Sequence, residues 1–260
     1  EFSPSGDYIA LHSSNNTMTD VLVGKINAEE KQITGTNLAP NAQNVSVGNG
    51  TVSFTLRTEA GSIGYTYTID SGEQQTRFNA PFKDIIVYWN ETDVLLYNKY
   101  TRYLEGNLYN ITTTLTPLAN GGFGFLPLVS DEYLVYSSIS DSVQTSQAVQ
   151  RSTDTGSAVT LAITPIPEKC TFTENTTLTC ASPLNSESLD YIENWYKGVN
   201  QVGDMLWEIN LTNGSATVIL DLTIETGRLI DVTNLQDHNE SLFFVNKIDN
   251  TLWLYDQSDV

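Results

Sequence analysis

Apolar and polar residues alternate in short runs along the chain, and a turn-forming residue stands ahead of each run. Ser5-Gly6-Asp7-Tyr8-Ile9-Ala10-Leu11 is one copy and Asn49-Gly50-Thr51-Val52-Ser53-Phe54 another. The pattern returns at Glu91-Thr92-Asp93-Val94-Leu95-Leu96-Tyr97 and at Ser130-Asp131-Glu132-Tyr133-Leu134-Val135-Tyr136. Two further copies are Asn175-Thr176-Thr177-Leu178-Thr179-Cys180 and Asn239-Glu240-Ser241-Leu242-Phe243-Phe244-Val245. A period of two is that of a strand with one face in a core. No segment longer than about two turns carries helical periodicity.

The copies start at Asp7, Thr51, Asp93, Glu132, Thr176 and Glu240, so the first four steps are 44, 42, 39 and 44 residues and the last is 64. A period near 40 fits a propeller blade of four antiparallel strands, and the long step needs an insertion, placed at about 183–203. Third strands are expected at Asp20–Ile26, Ile63–Ile69, Gly106–Ile111, Gln147–Ser152, Met205–Ile209 and Thr251–Tyr255, and outer strands at Ala158–Ile163 and Ala216–Leu222. Asp70-Ser71-Gly72, Asp154-Thr155-Gly156 and Thr212-Asn213-Gly214 suit hairpin turns. A four-stranded sheet alone leaves two apolar faces open, so neighbouring units must stack to bury them. The fold expected is all-β: one β-propeller domain over residues 1–260 with about six blades, seven being the alternative.

Composition adds a sign and a compartment. Acidic residues outnumber basic ones 31 to 12, for a formal charge of −19. Such a surface repels phosphate backbones, and the basic residues do not cluster, which argues against nucleic acid as a partner. No run reaches the 18 or so apolar residues of a membrane helix. Cys170 and Cys180 flank a hairpin centred on Asn175, so they face each other on adjacent strands and a disulfide is expected. Two buried thiols or a partial metal site are the alternatives; a disulfide implies an oxidising compartment. N-x-S/T sequons occur at Asn15, Asn44, Asn49, Asn90, Asn110, Asn175, Asn210, Asn213 and Asn239, which suits either a glycosylated surface or turns rich in Asn and Thr.

Phe2-Ser3-Pro4-Ser5-Gly6-Asp7-Tyr8-Ile9-Ala10 resembles the signature of WD40-like repeats of the TolB type. The C-terminal third carries Lys169-Cys170, Leu178-Thr179-Cys180-Ala181-Ser182-Pro183, Asn194-Trp195-Tyr196-Lys197-Gly198, Asp204-Met205-Leu206-Trp207-Glu208-Ile209 and Leu252-Trp253-Leu254-Tyr255. Together with Gly227 to Leu235, these resemble uncharacterised envelope proteins of candidate-phylum bacteria. That resemblance implies an extracytoplasmic, cell-surface propeller held to the membrane only through an anchor absent from this chain. It implies no activity.

Candidate chemistry is sparse. His12 and His238 form no zinc-binding pair, no G-x-S-x-G elbow is present, and Gly121-Gly122-Phe123-Gly124 reads as a bend entering a strand. Cofactors are expected to be none, calcium being the exception if Asp190, Glu193, Asp231 and Asp237 converge. Trp195, Tyr196 and Lys197 of the insertion are the candidate binding residues, because decorated loops on rigid scaffolds carry function. The alternative for the two aromatics is a plug or cover. The expectation is a non-catalytic platform for a protein or glycan at the cell surface, with self-association as a further possibility. An envelope-layer or filament subunit and a glycan-active enzyme in the channel are the alternatives.

Overall fold

A computed structural model describes residues 1–14, 18–90, 94–111, 114–151, 158–184, 189–238 and 241–256. Asn15, Glu91 to Asp93, Ser152, Asp154-Thr155-Gly156, Asn239 and Glu240, named above, lie outside the described residues, as do residues 185–188 of the insertion. The chain divides into two compact units, residues 1–99 with 108–119, and residues 100–107 with 120–260.

In the first unit β1 (Tyr8–Ser14), β2 (Thr19–Asn27) and β3 (Gln32–Asn37) form an antiparallel sheet. A second sheet comprises β4 (Gln43–Val47), β5 (Thr51–Arg57), β6 (Ser62–Thr68) and β7 (Gln74–Ala80). Alternation does the work expected of it. Val21 and Val23 of β2 and Val52 and Phe54 of β5 point inward and pack with Ala10, Leu38, Ala42 and Val47 in one buried cluster. Each such side chain contributes about 1.5–3 kcal/mol relative to exposure. β8 (Ile85–Trp89) and β9 (Val94–Asn98) follow, and Ile85, Val87, Val94 and Leu96 pack on Phe78 and Ala80 of β7.

β10 (Glu105–Ile111) and β11 (Leu115–Val129) have residues in both units. In the second unit β12 (Tyr133–Ser140) and β13 (Val143–Gln150) pair in register from Tyr133↔Gln150 to Ser140↔Val143, with a two-residue strand, β14 (Val159–Thr160), beside β13. β15 (Cys170–Glu174), β16 (Thr177–Ser182), β17 (Met205–Asn210) and β18 (Ala216–Asp221) make a four-stranded sheet. β19 (Val232–His238), β20 (Ser241–Asn246) and β21 (Thr251–Asp256) make the last. Ala181, Leu206, Ile230, Val232, Leu242 and Phe244 bury together between these two sheets. Two short helices, α1 (Tyr191–Tyr196) and α2 (Leu222–Thr226), interrupt the strands.

The fold is all-β, but its strands are not partitioned into six sheets of four. The described residues form five open sheets of three, four, seven, four and three strands, each in sequence order. One reason is β11: Gly122 and Gly124 adopt φ 70° and 63°, and the register with β12 shifts between Phe123 and Leu126. The glycine run is therefore a bulge inside a 15-residue strand rather than a bend before one. The outer strand expected over Ala158–Ile163 shrinks to β14.

Candidate functional site

The described part of the insertion is organised by α1. Its apolar residues Tyr191, Ile192 and Trp195 recur at one-turn spacing and are buried on one face. Lys197 caps the C-terminus, and Gly198 then takes a left-handed φ of 68°, where a side chain would be strained. Its N–H donates to the Trp195 carbonyl at 3.0 Å.

That geometry sends three consecutive candidates in different directions. Trp195 is only 3% exposed, and its indole Nε1–H donates to Asp231 Oδ1 at 2.7 Å. The Lys247 ammonium sits 3.6 Å from the centre of its ring and also donates to the Trp195 carbonyl. Tyr196 is 39% exposed; it stacks on Tyr100 at 5.9 Å and donates its hydroxyl to Glu168 Oε2 at 2.6 Å. Lys197 faces outward and pairs with Glu193 at 2.5 Å. Burial raises the Glu168 carboxyl above its ordinary range and pushes the Tyr100 phenol up to about 12, the Glu193 charge adding to the latter.

Beside α1, residues 100–104 are tied down by Arg102, which pairs with Asp190 and approaches Glu193 Oε2 at 3.6 Å. The Arg102 guanidinium lies 4.7 Å from the centre of the Tyr103 ring. Tyr103 and Leu104 are 62% and 67% exposed.

Beneath Trp195 lies a charged cluster of which sequence reasoning singled out Asp231 alone. A 3-10 turn, Pro167–Lys169, delivers Lys169 into the interior immediately before β15. Asp204 precedes β17 and Asp231 precedes β19, so three strand entrances bring three charged side chains together. The Lys169 Nζ donates to Asp204 Oδ2 at 2.6 Å and to Asp231 Oδ1 at 2.7 Å, with all three side chains closed to solvent. Asp204 Oδ2 also accepts from the Val232 amide at 2.7 Å. Asp204 Oδ1, Asp231 Oδ2 and the Tyr191 hydroxyl are buried with no hydrogen-bond partner. Burial pushes the Asp204 carboxyl up to about 6 against the pull of Lys169 and of the Val232 amide, with Asp231 adding to the rise. Burial likewise raises the Tyr191 phenol, helped by the two carboxylates. The available signal was a charged residue directly ahead of each strand, which an alternation pattern treats as turn.

Cys170 and Cys180 are disulfide-bonded across the β15–β16 register, as their spacing about Asn175 predicts. The four carboxylates considered for calcium do not converge. Asp190 and Glu193 meet Arg102, Asp231 meets Lys169 and Trp195, and Asp237 lies on β19. Among the described residues no group of three His, Cys, Asp or Glu side chains is arranged to hold a metal ion. His12 and His238 sit on β1 and β19. The Asn44 sequon amide is occupied, donating to Thr55 Oγ1 at 2.9 Å and to the Ile85 carbonyl at 3.1 Å. Among the described residues no helix is long and apolar enough to cross a membrane.

No family model and no curated protein matches the chain. Solved structures do. An acylaminoacyl peptidase from Pyrococcus horikoshii aligns with a TM-score of 0.62 at 10% identity, over 96% of this chain and 43% of that one. TolB from Acinetobacter baumannii aligns with a TM-score of 0.58 at 12% identity, over 83% and 52% respectively. The β-propeller domain of the Trilobed protease from Pyrococcus furiosus, described as having an open velcro topology, gives 0.57 at 11% identity over 96% and 80%. The chain thus spans about half the length of the first two. At these identities the likeness shows a β-propeller fold and nothing of activity.

Proposed function

We propose that residues 1–260 are a single non-catalytic propeller domain acting outside the cytoplasm as a protein-interaction module. The observation that carries this is the outward group of Tyr103, Leu104, Tyr196 and Lys197, braced by the buried Trp195 and by the Arg102 ion pairs. Tyrosine and arginine on a rigid support are the residue types that dominate binding energy at interfaces. The disulfide supports an oxidising compartment. A cell-envelope location rests on the sequence resemblance. Asp204 and Asp231, the two carboxyl groups that meet at Lys169, are closed to solvent and hold that lysine between them, which supports a non-catalytic reading.

The test is in-cell crosslinking with purified-envelope readout, comparing wild type, a Tyr103→Ala/Leu104→Ala/Tyr196→Ala variant and an Ile33→Ala control on exposed β3. One defined protein captured by wild type and control but not by the triple variant is expected. Equal capture by all three would remove the contact from this face. Retention on glycans alone would replace the protein partner with a carbohydrate.

A second reading, a self-assembling envelope subunit, is favoured by one observation. β21 is an edge strand whose Leu252 and Leu254 are exposed, while Trp253 and Tyr255 pack inward. Apolar edge strands are templates for pairing. Concentration-dependent mass by light scattering, abolished by Leu252→Lys, would support it, and a monomer at all concentrations would exclude it.

A further inference from the structure

We propose that Lys169 and Asp204 condense into an intramolecular isopeptide bond, with Asp231 carrying the protons. This stands apart from the interaction reading and holds whether or not that reading does.

Several features converge on the reaction. An Nζ to Oδ2 separation of 2.6 Å brings the nitrogen and the Asp204 Cγ within about 3–3.5 Å, the range from which attack proceeds. Asp231 Oδ1 is 2.7 Å from the same nitrogen, placing a second carboxylate where it can take a proton from the nucleophile. The Val232 N–H points at Asp204 Oδ2, so a donor already faces the oxygen on which charge develops. Asp204 Oδ1 is unpartnered and so is untethered as the leaving oxygen. Burial raises the Asp204 carboxyl and so favours its neutral acid, the form that acyl transfer requires. The site is closed to bulk solvent, with Trp195 beside it, which disfavours hydrolysis of the amide once the released water has diffused out.

The atoms balance without a co-reactant. The starting state is a Lys169 ammonium, a neutral Asp204 acid and an ionised Asp231. Nζ gives one proton to Asp231, and its lone pair forms a bond to the Asp204 Cγ while the carbonyl electron pair moves to Oδ2. Asp231 then protonates the Oδ1 hydroxyl and removes a second proton from the nitrogen. The carbonyl re-forms, Oδ1 leaves as water, and an amide and a neutral Asp231 acid remain. Two opposite charges and an orphaned oxygen disappear from the interior, where each is costly. Asp204 is assigned over Asp231 because the indole N–H of Trp195 holds Asp231 as a hydrogen-bonded base, whereas the Val232 amide serves Asp204 as an oxyanion donor.

The experiment is intact-mass measurement of the reduced, folded chain, followed by proteolysis and fragment sequencing. The expected wild-type mass is lower than that of the sequence by one water, with a branched peptide joining the Lys169 and Asp204 segments and no tryptic cleavage after Lys169. An Asp204→Asn variant is expected to reach the same final mass as wild type, because loss of ammonia from Asn yields the same amide. Lys169→Arg and Asp231→Ala are expected to show the full mass of their sequences. A folded wild-type chain at full sequence mass overturns the proposal. So does a water loss mapped to any place other than the Lys169–Asp204 pair, including a link to Asp231. Because the wild-type measurement decides alone, a variant that fails to fold does not shelter the proposal.

Discussion

The interior behind β2 and β5 and the interior behind β15, β17 and β19 are built on different terms. The first is built mainly of apolar side chains: Ala10, Val21, Val23, Leu38, Val47, Val52 and Phe54 meet with no charged side chain among them. The second has a comparable apolar cluster around Leu206, Val232 and Phe244, but a lysine and two aspartates are buried beside it, next to a disulfide. Apolar burial is non-directional and tolerates substitutions of similar volume. A buried charge is tolerated only with its partners in place. The second unit therefore adds specific pairings to its apolar cluster, and it is more exposed to single changes at its polar centre.

Lys169→Ala is the harshest way to break that contrast. It leaves two buried carboxyl groups without the nitrogen they share and removes one partner of the proposed amide, so a loss of about 3–5 kcal/mol is expected in chemical denaturation. Amide exchange should accelerate first in β16, β17 and β19. Unchanged stability would mean that the cluster is solvated in solution and that the contrast fails. The disulfide comes next. It closes a loop of separation 10, and replacing both cysteines with alanine should cost about 2–3 kcal/mol on the chain-entropy account. An unaltered denaturation midpoint would show that the β15–β16 register is set by strand pairing alone. Val52→Ala in the apolar interior should cost less, about 2 kcal/mol, for two lost methyl groups and a small cavity. Its exchange signature belongs in β2 and β5. A loss equal to that of Lys169→Ala would erase the difference between the two interiors.

The same contrast explains what was legible in the sequence. Strands such as β2, β5, β17 and β20 follow from alternation because their inward residues are apolar and evenly spaced. Cys170 and Cys180 could be paired because a hairpin fixes who faces whom. Lys169 could not be placed, because a lysine ahead of a strand reads as solvated turn until Asp204 and Asp231, 35 and 62 residues away, are brought to it. The division into sheets was obscured for another reason: glycines mark both a break and a bulge, and at Gly122 and Gly124 the chain bends without ending β11. Trp195 and Tyr196 were equivalent in the sequence, and only the short helix α1 separates an inward indole from a half-exposed phenol.

The finest probe of the second unit is the alkaline titration of its tyrosines. Burial, reinforced by the Glu193 carboxylate, pushes Tyr100 from its ordinary value of 10.0 up to about 12. The folded state therefore retains a proton that the unfolded state releases. Its contribution to stability is fully present below the unfolded value near 10 and is lost as pH rises through about 12. Phenolate absorbance of the folded protein should accordingly show a late-ionising component that Tyr100→Phe removes, leaving a second from Tyr191, which burial and the neighbouring Asp204 and Asp231 also raise. If Tyr100→Phe leaves the late component intact, the Tyr100–Tyr196 stack is open to water in solution and does not anchor α1. If Tyr191 alone ionises at its ordinary pH, it does not share a dry site with the two carboxylates, and the closed polar centre that distinguishes this unit is absent.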